Sequence, residues 1–454
     1  MMPTLRFSYI ISLLICVAIV LSITACATPS LSNSASGSTA RAGQSGNGGG
    51  SSTNTPSGQV APFLTNCPAT GTARIAIMPA LPTGSQQAVI YLANAQNAAS
   101  LDSYTIASGQ THTLASFADT SISAAQVSHD GQWILFVAIT NNQARLQLIR
   151  VDGHDLQTLY CATPVSNGAD ATSIIQNIEW SSNQQLVAFA SYTSSSGVVD
   201  LLNMQTGALQ TVFSSGNGFI YPPITWQDNT HLFLRAPTID GPSTALYLLD
   251  INNGSNQRFA DLQAVYQNSS LLPCWDADSS YDGTRLFISQ CTSRPRTSGP
   301  GIDGYQGPGS ISVEPLTSGS SSTPQTIYSM NAAITQVRVI SQNTLLFLVE
   351  NSSMSQSIDT SQNGLWKIGV DGSQPTQLMS DGAGVSGGPS TLCSFTQYPW
   401  SNVSRDGSMY AIQHSSKHGT VQTLLFGSLN GGSPTTFATS SDGTQLAVVG
   451  WTTI

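Results

Sequence analysis

Two short stretches of this sequence carry residues whose types and spacing could perform chemistry. Ser386 lies in GVSGG, which matches the Gly-x-Ser-x-Gly pattern of a hydrolase nucleophile. That pattern requires a strand, a sharp turn and a helix, whereas Ser386 is surrounded by Gly, Pro and Ser. His414 and His418 stand four residues apart, which suits a metal on a helix but not on the hairpin expected here. We therefore predict no catalytic residue in either stretch.

A third stretch, DADSSYD at 276–282, offers three carboxylates that could hold calcium. No glycine-containing loop of the EF-hand type and no distal glutamate follows it. Asp276 and Asp278 are expected in an inner strand of the fold, and Asp282 in the turn that follows. The sequence accordingly predicts no metal site and no cofactor.

Composition restricts the class of partner. Only 8% of the residues are charged, while 40% are hydrophobic and 40 residues are glycine. Polar, uncharged residues with many glycines are typical of turns and exposed strand faces. The formal net charge is −9 and no basic stripe is present, so nucleic acid is a poor candidate partner.

The beginning of the chain has the features of an export signal. Arg6 is the only charge before an apolar run that ends in Ile23-Thr24-Ala25-Cys26. A cysteine after a small residue resembles the lipobox of bacterial lipoproteins. This resemblance implies cleavage of a signal peptide at 1–25 and acylation of Cys26, with chains such as palmitate. An uncleaved membrane helix and a plain secretory signal are the alternatives.

Residues 26–60 have the composition of a flexible tether rich in Ser, Gly and Thr. A coil of about 33 such residues has a root-mean-square reach of roughly 30 Å. We expect it to hold a folded body, 61–454, clear of the outer face of the bacterial cell membrane or of an outer membrane. Hosts with one membrane and hosts with two fit this pattern equally.

A short phrase, SHDGQW at 128–133, recurs through the rest of the chain. Apolar stretches rich in Val, Ile, Leu, Phe and Tyr flank it, and a second hairpin with an Asp-Gly, Thr-Gly or Asn-Gly turn follows. The copies centre on Asp130, Asn183, Asn229, Asp282, Asn343, Asp406 and Asp442. A repeat of this length made only of strands is typical of propeller blades. The phrase is predicted to join the two inner strands of each blade.

The units resemble the TolB-like, WD40-like propeller repeat, in which a Ser-x-Asp-Gly turn precedes a hydrophobic strand. The full copies begin at Ser128, Ser280, Ser404 and Ser440. The resemblance covers residues 70–454 and implies the fold. It leaves the function open, since propellers bind, scaffold and catalyse.

Counting the units predicts an all-β propeller of seven blades, each with four antiparallel strands. We count eight inner hairpins but seven outer ones, and the extra inner copy, SSDGTQLAVVGWTTI, ends the chain. Because a closed ring leaves no open edge, one blade should combine strands from both termini. TARIAIMPA at 72–80 is the expected N-terminal contributor, and eight blades is the alternative.

One disulfide can be predicted from strand register. Around the turn at Tyr281-Asp282, Cys274 lies opposite Cys291, at a separation that a disulfide spans. Cysteines that follow an export signal can oxidise. We therefore predict a Cys274–Cys291 bond.

Three further cysteines, Cys67, Cys161 and Cys393, leave their pairing open. Ring closure would make the first and last blades neighbours, which suggests Cys67 with Cys393. There is no Cys-x-x-Cys motif to indicate zinc or a redox centre.

Three long insertions interrupt the otherwise short loops, at 292–309, 351–364 and 380–400. Long loops on rigid propellers are where binding residues concentrate. The first insertion carries side chains suited to a partner surface, namely Arg294, Arg296, Asp303 and Tyr305. A solvated loop without a partner is the alternative.

Together these features predict a monomeric, lipid-anchored, extracytoplasmic propeller that binds a protein or a cell-envelope glycan and is not an enzyme. The chain stops directly after its last propeller strand, where propeller peptidases have a separate hydrolase domain. A propeller enzyme acting on carbohydrate, as a lyase or hydrolase, is the competing class, and it would cluster His, Tyr, Arg or acids at one channel mouth. A small-ligand or calcium-dependent sensor is the third.

Overall fold

The computed structural model describes thirteen stretches of the chain, and every structural statement below concerns these stretches. They are residues 65–82, 84–167, 170–192, 196–216, 219–235, 245–261, 272–295, 302–316, 324–353, 357–381, 391–393, 402–415 and 421–454. Cys26, Arg296, Ser386 and His418, which the sequence singled out, lie outside them. Within these stretches, no helix is long and apolar enough to cross a membrane.

Thirty strands make up the regular structure described. In chain order they are β1 (Gln87–Ala95), β2 (Ala98–Thr105), β3 (Gln110–Ala118), β4 (Thr120–Val127), β5 (Trp133–Thr140), β6 (Gln143–Arg150), β7 (Gln157–Cys161), β8 (Val165–Asn167), β9 (Asp170–Thr172), β10 (Ile175–Trp180), β11 (Leu186–Tyr192), β12 (Gly197–Asn203), β13 (Leu209–Ser214), β14 (Pro223–Trp226), β15 (His231–Arg235), β16 (Ala245–Asp250), β17 (Ser255–Asp261), β18 (Leu272–Ser279), β19 (Arg285–Pro295), β20 (Ile302–Pro315), β21 (Gln325–Met330), β22 (Ile334–Ser341), β23 (Thr344–Val349), β24 (Gly364–Gly369), β25 (Thr376–Ser380), β26 (Thr391–Cys393), β27 (Met409–Ser415), β28 (Gln422–Ser428), β29 (Thr435–Ser440) and β30 (Gln445–Thr453).

Seven antiparallel sheets of four strands form the blades of a propeller. Blade 1 contains β30, β1, β2 and β3 from the inside outwards. Blades 2 to 7 are β4–β7, β10–β13, β14–β17, β18–β21, β22–β25 and β26–β29, and β8 pairs with β9 outside the blades. We call the four strands of each blade A, B, C and D from the innermost outwards. The predicted fold, seven blades of four strands, is confirmed.

Blade 1 closes the ring with strands from both ends of the chain, as expected. β30 takes its A position and pairs antiparallel with β1, so that Gln87 lies opposite Thr453 and Asn94 opposite Gln445. This ladder leaves no open edge at the join and excludes an eighth blade.

The N-terminal partner in this closure differs from the one predicted. Residues 72–80 do not pair in blade 1, because Pro79 lacks a ladder N–H and the alanines give little apolar bulk. They belong to residues 65–81, which we call the strap, and the strap lies across the outside of blades 2 and 3. The N–H of Arg74 donates to the carbonyl of Leu159 (2.9 Å), and that of Ala76 to the carbonyl of Met204 (2.8 Å).

Six copies of the turn phrase join A and B strands, as predicted, but the copy at Asp442 does not. The Ser440 hydroxyl donates to the Asp442 carboxylate at 2.8 Å, as Ser128 does to Asp130 at 2.5 Å. Asp442 nevertheless leads from β29, the D strand of blade 7, into β30, the A strand of blade 1. The bonds of this turn are local, so they fit either kind of connection. In blade 1 the A–B turn is replaced by the meeting of Ile454 with residues 84–86.

All three insertions lie at one end of the ring. Because the strands alternate in direction, A–B and C–D turns lie at one face, which we call the turn face. B–C and D–A connections lie at the other, the insertion face. Insertions 292–309 and 351–364 are B–C connections, and 380–400 is a D–A connection. The first was expected to be a loop, but β19 and β20 extend into it as a long hairpin, which we call the arm.

Two disulfides are present among the described cysteines. Cys274 and Cys291 lie directly opposite each other, as predicted, with Cα atoms 4.9 Å apart. Cys67 is bonded to Cys161 on β7, with Cα atoms 5.7 Å apart. The suggested pairing with Cys393 is wrong, because the strap places Cys67 at the D strand of blade 2 rather than at the ring join.

Because β30 closes the ring, a substitution that disrupts its packing should destabilise the whole fold. Trp451 is 1% exposed and packs with residues of both blade 1 and blade 7, including Val89 and Leu424. Trp451→Ala is expected to lower the free energy of unfolding by about 3–5 kcal/mol, measured by urea denaturation. Ile454→Ala, at a residue 39% exposed, is the control and should change it little. Equal effects of the two substitutions would contradict a closure that depends on β30 packing.

Candidate functional site on the insertion face

The carboxylate of Asp276, on the A strand of blade 5, joins three blades. One oxygen, Oδ2, binds the Nη1 of Arg338 and accepts the N–H of Val337 at 3.3 Å, both on the A strand of blade 6. The other, Oδ1, faces the Nη2 of Arg235 from blade 4 at 3.5 Å. The side chains of Asp276 and Arg338 are 9% and 6% exposed. This buried ion pair therefore acts as a structural bridge between neighbouring blades.

Asp278 repeats the arrangement two residues further along the same strand. Its Oδ2 accepts the N–H of Val339 at 2.9 Å, and its Oδ1 accepts the N–H of Ser279 at 3.0 Å. Burial raises the pKa of Asp278 to about 7, although Arg338 and the N–H of Val339 act against this rise. The spacing of the two acids thus matches alternate N–H groups of the adjacent A strand.

The charge of Arg338 is held at the centre of the ring. Burial alone lowers the pKa of this guanidinium, but the charges of Asp276, Asp278 and Glu179 outweigh burial and leave its pKa above the ordinary value. Glu179 comes from the A strand of blade 3 and is 1% exposed. Acids from blades 3 and 5 therefore surround one arginine from blade 6.

The three carboxylates of 276–282 do not converge on a common point. Asp282 accepts bonds from the Ser280 and Thr284 hydroxyls of its own turn, and these bonds lower its pKa to about 2. Asp276 and Asp278 are directed at β22 instead. In the described part of the chain, no group of three His, Cys, Asp or Glu side chains could hold a metal ion.

Arg235 presents charge at the insertion face. It is the last residue of β15, and its guanidinium carbon lies 4.5 Å from the centroid of the Trp275 ring. Asp276 and this ring fix the side chain, which is still 31% exposed. A guanidinium held on an aromatic ring loses little conformational freedom when it binds a partner.

Tyr305, on the arm, lies next to Arg235. Its ring packs on the Cys274–Cys291 disulfide and Ala333, and its backbone exchanges hydrogen bonds with Ser352 of the second insertion, at 2.9 and 3.1 Å. Burial, then the charge of Glu350, raises the pKa of the Tyr305 hydroxyl, while Arg235 lowers it. The phenol is neutral at physiological pH.

Glycines allow the arm to lie flat on the insertion face. A Cβ at Gly304 would lie 1.9 Å from the carbonyl oxygen of Ser352, and one at Gly307 would lie 2.4 Å from that of Asn331. Since real Cβ atoms do not approach backbone so closely, only glycine fits at these places. The arm is thereby fixed to blade 6.

A second group of titratable side chains lies further round the same face. Glu350, directly after β23, has a pKa raised to about 8 by burial and by the charge of Asp381. Asp381 in turn pairs with the Nε2 of His414 on blade 7 at 3.0 Å. Within this group, the Glu350 carboxyl could hold a proton at neutral pH.

The predicted contact residues are only partly assembled here. Tyr305 belongs to the site, while Arg294 and Asp303 lie within β19 and β20. Sequence reasoning missed Arg235 and Arg338. Arg338 carried a signal, because it is a single charge inside the apolar stretch ITQVRVIS. Nothing in the sequence around Arg235 pointed to Trp275, which belongs to the next blade.

Comparison with known proteins supports the fold. Neither family models nor curated proteins match this sequence. Solved structures do: a prolyl endopeptidase structure is 12% identical, with a TM-score of 0.50, over 83% of this chain and 50% of that one. TolB from Acinetobacter baumannii is 12% identical, with a TM-score of 0.38, over 80% of this chain and 79% of that one. Oligogalacturonate lyase in complex with manganese is 7% identical, with a TM-score of 0.48, over 79% and 96%.

The fold is a seven-bladed propeller. The matched structures include TolB, and they also include enzymes. At identities this low, the likeness concerns the fold alone. Function must therefore be argued from the residues of the insertion face.

The two arginines on Asp276 should differ sharply in their effect on stability. Arg338→Met leaves a buried, unpaired carboxylate and is expected to lower the free energy of unfolding by about 3–5 kcal/mol. Arg235→Met removes a longer contact to Asp276, made by a side chain that is 31% exposed, and should cost about 1 kcal/mol. Urea denaturation at pH 7 measures both. A cost for Arg338→Met no larger than that for Arg235→Met would contradict the bridging role.

Glu350 should make stability fall as the pH rises. Its carboxyl has a pKa of about 8 when folded and of about 4.3 when unfolded, so between these values only the folded state keeps the proton. The stabilisation that the Glu350 carboxyl contributes is fully present below about pH 4 and is lost as the pH approaches about 8. Glu350→Gln should therefore flatten the decline of the unfolding free energy between pH 5 and 8. Part of the decline should remain in this variant, because Asp278 and Glu314, whose pKa values are about 7, also lose their protons in this range.

Asp359→Asn is the matched control for this titration. Asp359 lies in the same insertion as Ser352, and hydrogen bonds from Ser361 lower its pKa, so it titrates below the window. Its variant should keep the wild-type slope. A Glu350→Gln slope equal to that of the wild type would show that Glu350 ionises normally in the folded state.

Proposed function

We propose that this protein is a lipid-anchored, extracytoplasmic propeller that binds a protein partner through the insertion face of blades 4 to 6. The observation that carries the proposal is the Arg235 guanidinium, which is partly exposed at the insertion face and held between Trp275 and Asp276 beside Tyr305. Arginine and aromatic side chains on a rigid support are the typical anchors of protein interfaces.

The acids of the centre support binding rather than catalysis. Asp276 is occupied by two arginines and a backbone N–H, and Asp278 by two backbone N–H groups. Carboxylates bound in this way hold the blades in place and are poorly placed to exchange protons with a substrate. Asp276 also holds the Arg235 side chain in position.

The extracytoplasmic location is proposed from the N-terminal signal and from oxidation of cysteines. Cys26 follows Ala25 in a lipobox-like sequence, which supports a lipid anchor in the membrane. Disulfides persist in oxidising compartments, and two are present. We propose that the anchored protein acts as a monomer.

A propeller enzyme acting on carbohydrate is the second candidate. The observation in its favour is Glu350, which holds a proton at neutral pH on the same face as Tyr305 and the Asp381–His414 pair. A protonated carboxyl is the general acid that glycoside cleavage requires. Release of products from purified envelope glycans by the wild type, and its loss in Glu350→Gln, would favour this candidate over a binding module.

Binding is expected to depend on Arg235 and not on a similar arginine at the opposite face. The mature chain, used as bait in envelope extract, should retain a protein that Arg235→Ala loses at least tenfold. Arg285→Ala is the matched control, because Arg285 also lies over an aromatic ring (Phe287, 5.4 Å) but begins β19 at the turn face. Retention that both variants keep, or both lose, would contradict binding at the insertion face.

A further inference from the structure

Three pairs of neighbouring blades touch through the same contact. A glycine in the C–D turn of one blade packs on the carbonyl of the residue that forms a bulge in the D strand of the blade before it. A Cβ on the glycine would lie 2.5 Å from this oxygen for Gly153 and Leu114, 3.0 Å for Gly254 and Val212, and 2.0 Å for Gly372 and Ile327. Backbone contact therefore closes the interfaces between blades 1 and 2, between blades 3 and 4, and between blades 5 and 6.

At the interface between blades 2 and 3, the strap takes the place of this contact. The bulge residue Leu159 gives its carbonyl to the N–H of Arg74, and Met204 gives its carbonyl to Ala76. The turn glycine, Gly207, faces the backbone of the strap, and a Cβ there would lie 2.7 Å from the nitrogen of Ile75. One extended segment thus occupies the space between the two blades.

The side chains of the strap show what this space accepts. Ala73, Ala76 and Met78 pack on the core between the blades, whereas Ile75 and Ile77 are 55% and 44% exposed. The segment is therefore extended, with small or apolar side chains facing inwards around its exposed positions.

The interface between blades 6 and 7 has the same form, and no described segment fills it. Leu378 is the bulge residue of β25, as Leu159 is of β7, and Leu429 follows β28 as Met204 follows β12. A Cβ on the turn glycine Gly432 would meet no described atom within 4 Å. A groove of about 470 Å³ lies here, and its lining includes Leu378, Met379, His414, Leu425, Ser433 and Pro434.

We propose that this groove, the 6–7 groove, receives an extended segment of a partner protein with small apolar side chains directed inwards. Apart from His414, which pairs with Asp381, the described lining carries no ionisable side chain, so it complements an uncharged segment. Leu378 occupies the bulge position from which the Leu159 carbonyl binds the strap. The Leu429 carbonyl, which corresponds to that of Met204, already accepts a hydrogen bond from the Lys367 ammonium at 2.5 Å. The partner segment would therefore bind by a backbone hydrogen bond to Leu378 and by apolar contacts. His414 lines this groove and also pairs with Asp381 on the insertion face, whereas Arg235 lies on blade 4, so the groove and the Arg235 site can fail independently.

A peptide copied from the strap is the direct probe. Residues 72–79 with Arg74→Gln, labelled with a fluorophore, are added to the mature chain from residue 27, whose own 2–3 interface is filled and tied by Cys67–Cys161. Saturable binding in fluorescence anisotropy is expected. The same peptide with Ala76→Asp, which places a charge at an inward position, should bind at least tenfold more weakly.

Two protein variants locate the binding. Ser433→Trp fills the 6–7 groove and should weaken peptide binding at least tenfold. Ser373→Trp is the matched control, since Ser373 is an exposed serine in the corresponding turn of blade 6, whose interface with blade 5 is closed. Both variants should keep the circular dichroism spectrum of the wild type.

Three outcomes would overturn the proposal. The first is absence of saturable binding, or binding that Ser433→Trp leaves unchanged. The second is binding that occurs only after removal of residues 27–60, since the occupant would then be the chain's own tether. The third is a dimer in sedimentation that Ser433→Trp dissociates, since the occupant would then be a second copy of this chain.

Discussion

The antiparallel ladder between β1 and β30 is the constraint on which the other interfaces depend. It fixes the number of blades at seven and closes them into one ring, so that the width of each interface affects the others. Three interfaces then close by contact of a glycine with a carbonyl, while the 2–3 interface takes in the strap. The strap is joined to the ring by backbone bonds and by Cys67–Cys161, so a segment outside every blade becomes part of the folded body.

Inside the ring, the polar residues hold the blades in position. Asp276 and Asp278 bind N–H groups of the next A strand, and Arg338 balances their charge together with that of Glu179. This buried polar group at the centre penalises any other arrangement of the blades, because each displaced partner would leave a buried charge. The same carboxylate, on Asp276, orients Arg235 at the insertion face. Under the proposed function, Asp276 would therefore serve both the packing of the blades and the binding of a partner.

The sequence was informative wherever the deciding interactions are local. Seven blades and the Cys274–Cys291 bond follow from turns and strand register within about twenty residues, and both are confirmed. The role of Asp442 was mistaken because its turn bonds are equally local, whereas its place depends on how the ring closes. The partners of Asp276 lie 41 and 62 residues away in other blades, so no local pattern could reveal them.

Site-specific photo-crosslinking in intact cells tests most directly whether the insertion face meets a partner. A photoreactive amino acid replaces Ser357, exposed in the second insertion, or Tyr281, which is 48% exposed at the turn face. We expect an adduct with another protein from position 357 and none from position 281. An adduct only from position 281, or none from either, would contradict recognition at the insertion face.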